Sequence, residues 1–206
     1  MATVKLTKNE LKTQKDQLKQ FERYLPTLQL KKQQLQSVIM KIEADYEKKK
    51  AEHASMVKDL DDWVAVFAEN TLFGAEKSIE HLVKPDKVIY GNTNIAGVTV
   101  PVFEELTFCD IAYDVADYPL WVDEALVRMR EIARLNALLK TLKIQVDLLG
   151  KELRLTSQRV NLFEKVKIPE AKENIRMISI YLGDQQTSAV VRGKIAKKKR
   201  LGASKS

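Results

Sequence analysis

Apolar residues recur every seven positions along two long stretches of this 206-residue chain, one at each end, with a short insert of different character between them. Such a repeat commits a chain to long helices that bury one narrow stripe against another helix. In the first stretch Val4, Leu11, Leu18, Leu25, Ile39, Tyr46, Leu60 and Phe67 form one series, and Phe21, Leu28, Leu35, Ile42, Met56 and Trp63 a second, three residues out of step. The second stretch repeats the pattern with Ile132, Leu139, Val146, Leu153 and Val160, and with Leu135, Leu142, Leu149 and Phe163. Two stripes of similar length in one chain can bury each other.

Only seven glycines and five prolines punctuate the chain, so few, long elements are expected. The first stripe corresponds to about 95 Å of helix at 1.5 Å per residue, far beyond an ordinary globular helix, and predicts a rod. The motif Thr7-Lys8-Asn9-Glu10 reads as a capping box that starts the first helix near Thr7 or a few residues earlier. Lys32, Lys49 and His53 fall on the stripe where the pattern calls for apolar residues. Polar positions of this kind can fix register at a cost in stability. Pro26 stands within the strongest part of the first stripe, where it either kinks one helix or separates two.

Between the stripes, Asn70, Gly74, Pro85, Gly91, Asn92, Asn94, Gly97 and Pro101 crowd together around the β-prone runs Val88 to Tyr90 and Val98 to Phe103. They predict a hairpin turning somewhere between Gly91 and Gly97, with Pro101 on an edge, leaning on the helices or on a partner because two strands alone are marginal. The second helix is expected to start between Asp117 and Pro119. Near Pro169 its stripe slips by one residue, to Ile168, Ile175 and Leu182, and the helix resumes through Tyr181.

The expected fold is mainly α: a long antiparallel two-helix coiled coil with a short central β-hairpin and small helical elements at one end. Its parts are a coiled-coil helix over 1–70, a head region over 71–117 with the hairpin at about 87–103, a returning helix over 118–191 and a basic tail over 192–206.

Charge is concentrated in that tail. The formal net charge is +7, and the final segment carries Arg192, Lys194, Lys197, Lys198, Lys199, Arg200 and Lys205 with no acid; without these seven, basic and acidic residues balance at 28 each. The tail either enters an acidic protein cavity or is a solvated, frayed terminus. It lacks the interleaved aromatics of a nucleic-acid-binding segment.

Chemistry-bearing motifs are missing. No glycine-rich loop precedes Lys-Ser or Lys-Thr, and His53, His81 and Cys109 have no metal-ligand spacing. Asp59, Asp61 and Asp62 read as a solvated helix face. No catalytic residue, cofactor or metal is expected. The single cysteine suits a reducing compartment, and charged residues from Lys5 to Asp16 interrupt any apolar leader.

Three segments carry a family resemblance. Asn94-Ile95-Ala96-Gly97-Val98-Thr99-Val100-Pro101 resembles the central Asn-aliphatic-x-Gly-Val-x-Val-Pro segment of the D subunits of V-type/A-type ATPases. Arg159-Val160-Asn161-Leu162-Phe163-Glu164, with Ile168-Pro169 and Asn174-Ile175-Arg176, is similar to that family's C-terminal signature, and Leu28-Gln29-Leu30-Lys31-Lys32 to its Leu-Leu-Lys-x-Lys segment. The resemblance implies a non-catalytic central rotor shaft. Its partners would be the A and B subunits of the catalytic hexamer, the F subunit, and the C subunit leading to the membrane ring, in a cytoplasmic complex peripheral to the membrane.

The residues then expected to matter are the stripe itself (Leu11, Leu18, Phe21, Leu25, Leu28, Leu35, Ile39 and Ile42 against Ile132, Leu135, Leu139, Leu142, Val146, Leu149, Leu153 and Val160) and candidate partner contacts. The contacts are Asn94, Gly97, Val98, Pro101, Arg159, Asn161 and the basic residues of the tail. Rival readings are a coiled-coil adaptor and a nucleic-acid-binding helical hairpin. The neutral body argues against the latter.

Overall fold

The computed structural model of the chain describes residues 4–61, 82–109, 111–113, 118 and 121–203. Asp62, Trp63, Phe67, Asn70, Gly74, His81, Asp117, Pro119 and Lys205, on which sequence expectations fall, lie outside them. Helix α1 spans Lys8–Asp61, strands β1 and β2 span Pro85–Ile95 and Val98–Phe108, and helix α2 spans Val122–Leu162. A five-residue π-helical turn, Phe163–Lys167, leads into helix α3, Ile168–Ala203.

The start of α1 uses half of the expected capping box. The Glu10 N–H donates to Thr7 Oγ1 at 3.2 Å, satisfying one of the orphan donors of the first turn. The Glu10 carboxylate does not reach back; it accepts from Gln14 Nε2 at 2.9 Å, while the Thr7 N–H is taken by the Lys5 carbonyl at 3.0 Å. Further along, α1 runs through Pro26 without interruption, so the reading of two separate helices is overturned.

Burial along α1 follows the heptad. Every position of its two series from Val4 to Leu60 that lies in the described residues is buried or half-buried, with the flanking positions almost all exposed. The polar exceptions obey the same rule. Lys49 is half-buried by its stem while its ammonium reaches out to Glu52 Oε2 at 2.7 Å, a snorkelling arrangement. His53 is half-buried too, and its Nε2 is enclosed without a hydrogen-bond partner.

The chain divides into two compact units. The first comprises Met1–Lys32 and Leu155–Ser206. In it Phe21 packs on Phe163 with ring centroids 5.3 Å apart, and Asn174 Nδ2 donates to Gln14 Oε1 at 3.4 Å. Residue numbers fall on one helix as they rise on the other, so the pairing is antiparallel. Val160, Ala171 and Ile178 are buried along this stripe, on both sides of the π-helical turn.

The second unit is Gln33–Arg154. Its helices are antiparallel as well, with Glu43 and Tyr46 lining one groove with Lys143 and Val146, and Val57 and Leu60 another with Met129 and Ile132. Leu35, Ile42 and Leu149 form its main core together with Val100 of the hairpin. Ile39, Leu142, Val146 and Leu153 pack around them, as do Ile95, Ala96 and Val98. The hairpin therefore leans on the helices, which gives a marginal two-stranded element its stability. A second cluster joins Leu82, Val122 and Leu126, with Tyr113, Tyr118, Trp121 and Met129 against it.

Candidate partner-binding surfaces

The hairpin is longer than its β-prone runs suggest, and its turn is confined to Ala96-Gly97. Gly91, Asn92 and Asn94 belong to β1 rather than to the turn. Both turn residues have positive φ, 51° for Ala96 and 82° for Gly97, the backbone of a type I′ turn that matches the twist of the strands. Asn94 Oδ1 accepts the Gly97 N–H at 2.9 Å and fixes the turn from one side. Glu104 bulges out of β2 opposite the step from Ile89 to Tyr90 on β1, and its side chain occupies the space a Cβ on Gly91 would need.

Pro101 pairs with Asn92, and its carbonyl accepts from Gln145 Nε2 at 2.6 Å. Gln145 is buried on α2 beside the buried Thr141, whose hydroxyl donates to the Ala137 carbonyl at 2.8 Å. These two polar residues lie off the heptad stripe. Gln145 is held against the hairpin by its bond to Pro101, a contact that a helix period alone does not signal.

Of the expected contact residues, Asn94 and Gly97 are exposed, whereas Val98 and Pro101 are half-buried against the unit's own helices. Arg159 and Asn161 are exposed on α2 just before the π-helical turn. There the Ile168 N–H donates to the Phe163 carbonyl, five residues back instead of four. One additional residue per turn is what the slip in the stripe at Pro169 requires. Proline at 169, lacking an N–H, follows directly.

Beyond Leu182 the helix has no covering. From Gly183 to Arg200 every residue of α3 is exposed, including Val190, Val191 and Ile195. Helical order nevertheless continues to Ala203, past the point where the apolar pattern fades. At 100° per residue, Arg192, Lys194, Lys197, Lys198, Lys199 and Arg200 point in all directions around the axis rather than forming one basic face.

Sequence reasoning also missed an ionisable cluster in the head. The Tyr113 hydroxyl is hydrogen-bonded to Asp123 Oδ1, which together with its surroundings raises its pKa, while the charge of Arg130 pulls the other way. Arg130 and Arg134 both stand over the ring of Phe108, 5.6 and 5.4 Å from its centroid. On α3, Arg176 grips Glu173 through two bonds of 2.9 and 2.7 Å and holds that exposed carboxyl below the usual carboxylate range. Among the described residues no group of three or more His, Cys, Asp or Glu could hold a metal ion, and no helix is long and apolar enough to cross a membrane.

Residues 10–198 match the family of ATP synthase D subunits. The chain belongs to that family. It is 50% identical over 197 residues to the V-type ATP synthase D subunit of Borreliella burgdorferi, covering 96% of this chain and 95% of that protein. The V-type ATP synthase D subunits of Chlamydia caviae and Chlamydia pneumoniae are 35% and 33% identical, each over 95% of this chain and 93% and 92% of theirs. The D subunit is a central-stalk component of a rotary ATPase, and the adaptor and nucleic-acid readings are not favoured.

Proposed function

We propose that this chain acts as a non-catalytic shaft, coupling ion passage through a membrane ring to ATP synthesis or hydrolysis in a hexamer of A and B subunits. The observation that carries this reading is the uncovered basic end of α3. An isolated helix of about 20 residues rich in lysine and glycine is marginal in water, so its helical order calls for a surrounding partner. Cations on every side of a helix suit a sleeve within which the helix turns, because no single orientation is favoured by charge. Successive orientations of the rest of the shaft then favour different nucleotide states in successive A/B pairs.

The head unit would couple through the F and C subunits to the membrane ring, with the complex peripheral to the membrane on its cytoplasmic side. Asn94 and Gly97 at the hairpin turn and Arg159 and Asn161 before the π-helical turn are the shaft's exposed candidate contacts.

The test is a truncation. Removing Gly193 to Ser206 is expected to weaken assembly with the A/B hexamer and to lower rotation-coupled ATP hydrolysis. Unchanged assembly and coupled hydrolysis would overturn the role given to this end. Tagged full-length chain should co-purify the A, B and F subunits.

A further inference from the structure

Arg130 and Arg134 lie one turn apart on α2, so their side chains share a face. Both guanidinium groups stand over the Phe108 ring, at 5.6 and 5.4 Å from its centroid, which holds two flexible side chains in one place. The Nε of Arg130 is buried and has no hydrogen-bond partner. An enclosed guanidinium N–H with no acceptor costs free energy, which a carboxylate bound to the outer nitrogens of the same cation would help to offset.

Among the described residues, the chain's own acids do not supply one. Asp123 is engaged by the Tyr113 hydroxyl, and Glu124 accepts from Arg128 Nε at 2.9 Å. No carboxylate among the described residues pairs with either Arg130 or Arg134. Arg134 is exposed and Arg130 half-buried, so an acceptor from outside can approach the outer guanidinium nitrogens, although not the enclosed Arg130 Nε itself.

We propose that Arg130, Arg134 and Phe108 form a clamp for a single carboxylate side chain presented by the protein that receives the head of this chain. The proposal rests on the shaft reading above. A planar guanidinium fork matches a carboxylate with two parallel hydrogen bonds, and Arg134 beside it adds a second charge. The rest of the head disfavours a broad anionic surface such as a lipid bilayer, because Asp86, Glu104, Glu105, Glu124 and Glu131 are exposed on the same unit. An acidic finger can enter where an extended negative surface would be repelled.

The test uses the full chain and the recombinant C subunit that would join the head to the ring, titrated at about 50 mM and about 500 mM salt. The exposed site allows Arg134→Glu without disturbing the core, and circular dichroism checks its folding. Affinity is expected to fall about 30-fold or more at low salt, in line with other broken interfacial charge pairs. Arg134→Lys, which keeps the charge and loses the fork, should fall between, and Phe108→Leu should weaken binding without changing charge. Wild-type affinity for Arg134→Glu would overturn the clamp. So would loss of binding by this variant only to phosphatidylserine vesicles, with the protein partner held as before. If the wild-type chain binds none of the other ATPase components, it is the shaft reading that fails; if wild type and Arg134→Glu assemble equally, only the clamp fails.

Discussion

Ala96 occupies a backbone conformation that an L side chain disfavours by about 1–2 kcal/mol, and it does so beside a glycine that needs the same region. The turn is held in place by Asn94 and by Ile95, Val98 and Val100 on the core, so the cost is borne locally. Replacing Ala96 with Gly is expected to raise stability by up to about 1 kcal/mol, the strain relieved exceeding the added freedom of the unfolded chain. Denaturant unfolding monitored at the hairpin checks this, and a loss of stability would show that the Ala96 methyl group is worth more as packing. On α3 the sign of a pH effect follows from Arg176. Its hydrogen bonds depress the Glu173 pKa, so the favourable contribution is present above the unfolded carboxyl's pKa and disappears as pH falls through the folded one. Arg176→Gln should move the Glu173 titration up toward the ordinary range in a carboxyl-resolved NMR experiment. Both side chains are exposed, so global stability should scarcely move.

Two proline sites show how a long helix absorbs a local defect. Pro26 is exposed and within α1, so its ring contributes little packing while its missing N–H leaves the Glu22 carbonyl unpaired within the helix. Pro26→Ala is expected to stabilise the chain by up to about 3 kcal/mol, read as a higher denaturation midpoint; an unchanged midpoint would mean that the helix has already relaxed around the proline. Around Pro169 the defect is compensated instead. The π-helical turn accommodates the extra residue, so Val160 and Ile178 are buried on the same stripe although their spacing breaks the heptad. Deleting the exposed Lys165 should convert the turn to α-helix and restore the seven-residue spacing, leaving the melting temperature within a few degrees. Inserting one alanine there should instead rotate the following stripe by about 100° and lower it clearly. Equal effects of the two changes would refute this account.

At the scale of the molecule, the excess charge is carried by one end. Removing Gly193 to Ser206 takes away six of the seven basic residues of that end and reduces the formal net charge from +7 to +1. Assembly of the full chain with an A/B hexamer is therefore expected to weaken as salt rises from about 50 to 500 mM, and that of the truncated chain to depend far less on salt. Equal salt dependence would place the electrostatic attraction elsewhere on the shaft. The division of labour between sequence and tertiary structure follows from what each burial depends on. Heptad spacing alone determined that Leu11 to Ile42 and Ile132 to Val160 face inward, because a helix of fixed period must hide its apolar stripe; even Lys32, Lys49 and His53 obey it. The one-residue slip near Pro169 was equally legible, and so were Thr7 as a cap and the family motif around Gly97. Only the tertiary structure decided that Gln145 is buried, that Val98 and Pro101 pack inward, and that Phe108 gathers Arg130 and Arg134. These depend on where the hairpin lies against the helices, a contact between residues some 20 to 60 apart in sequence that no local period encodes.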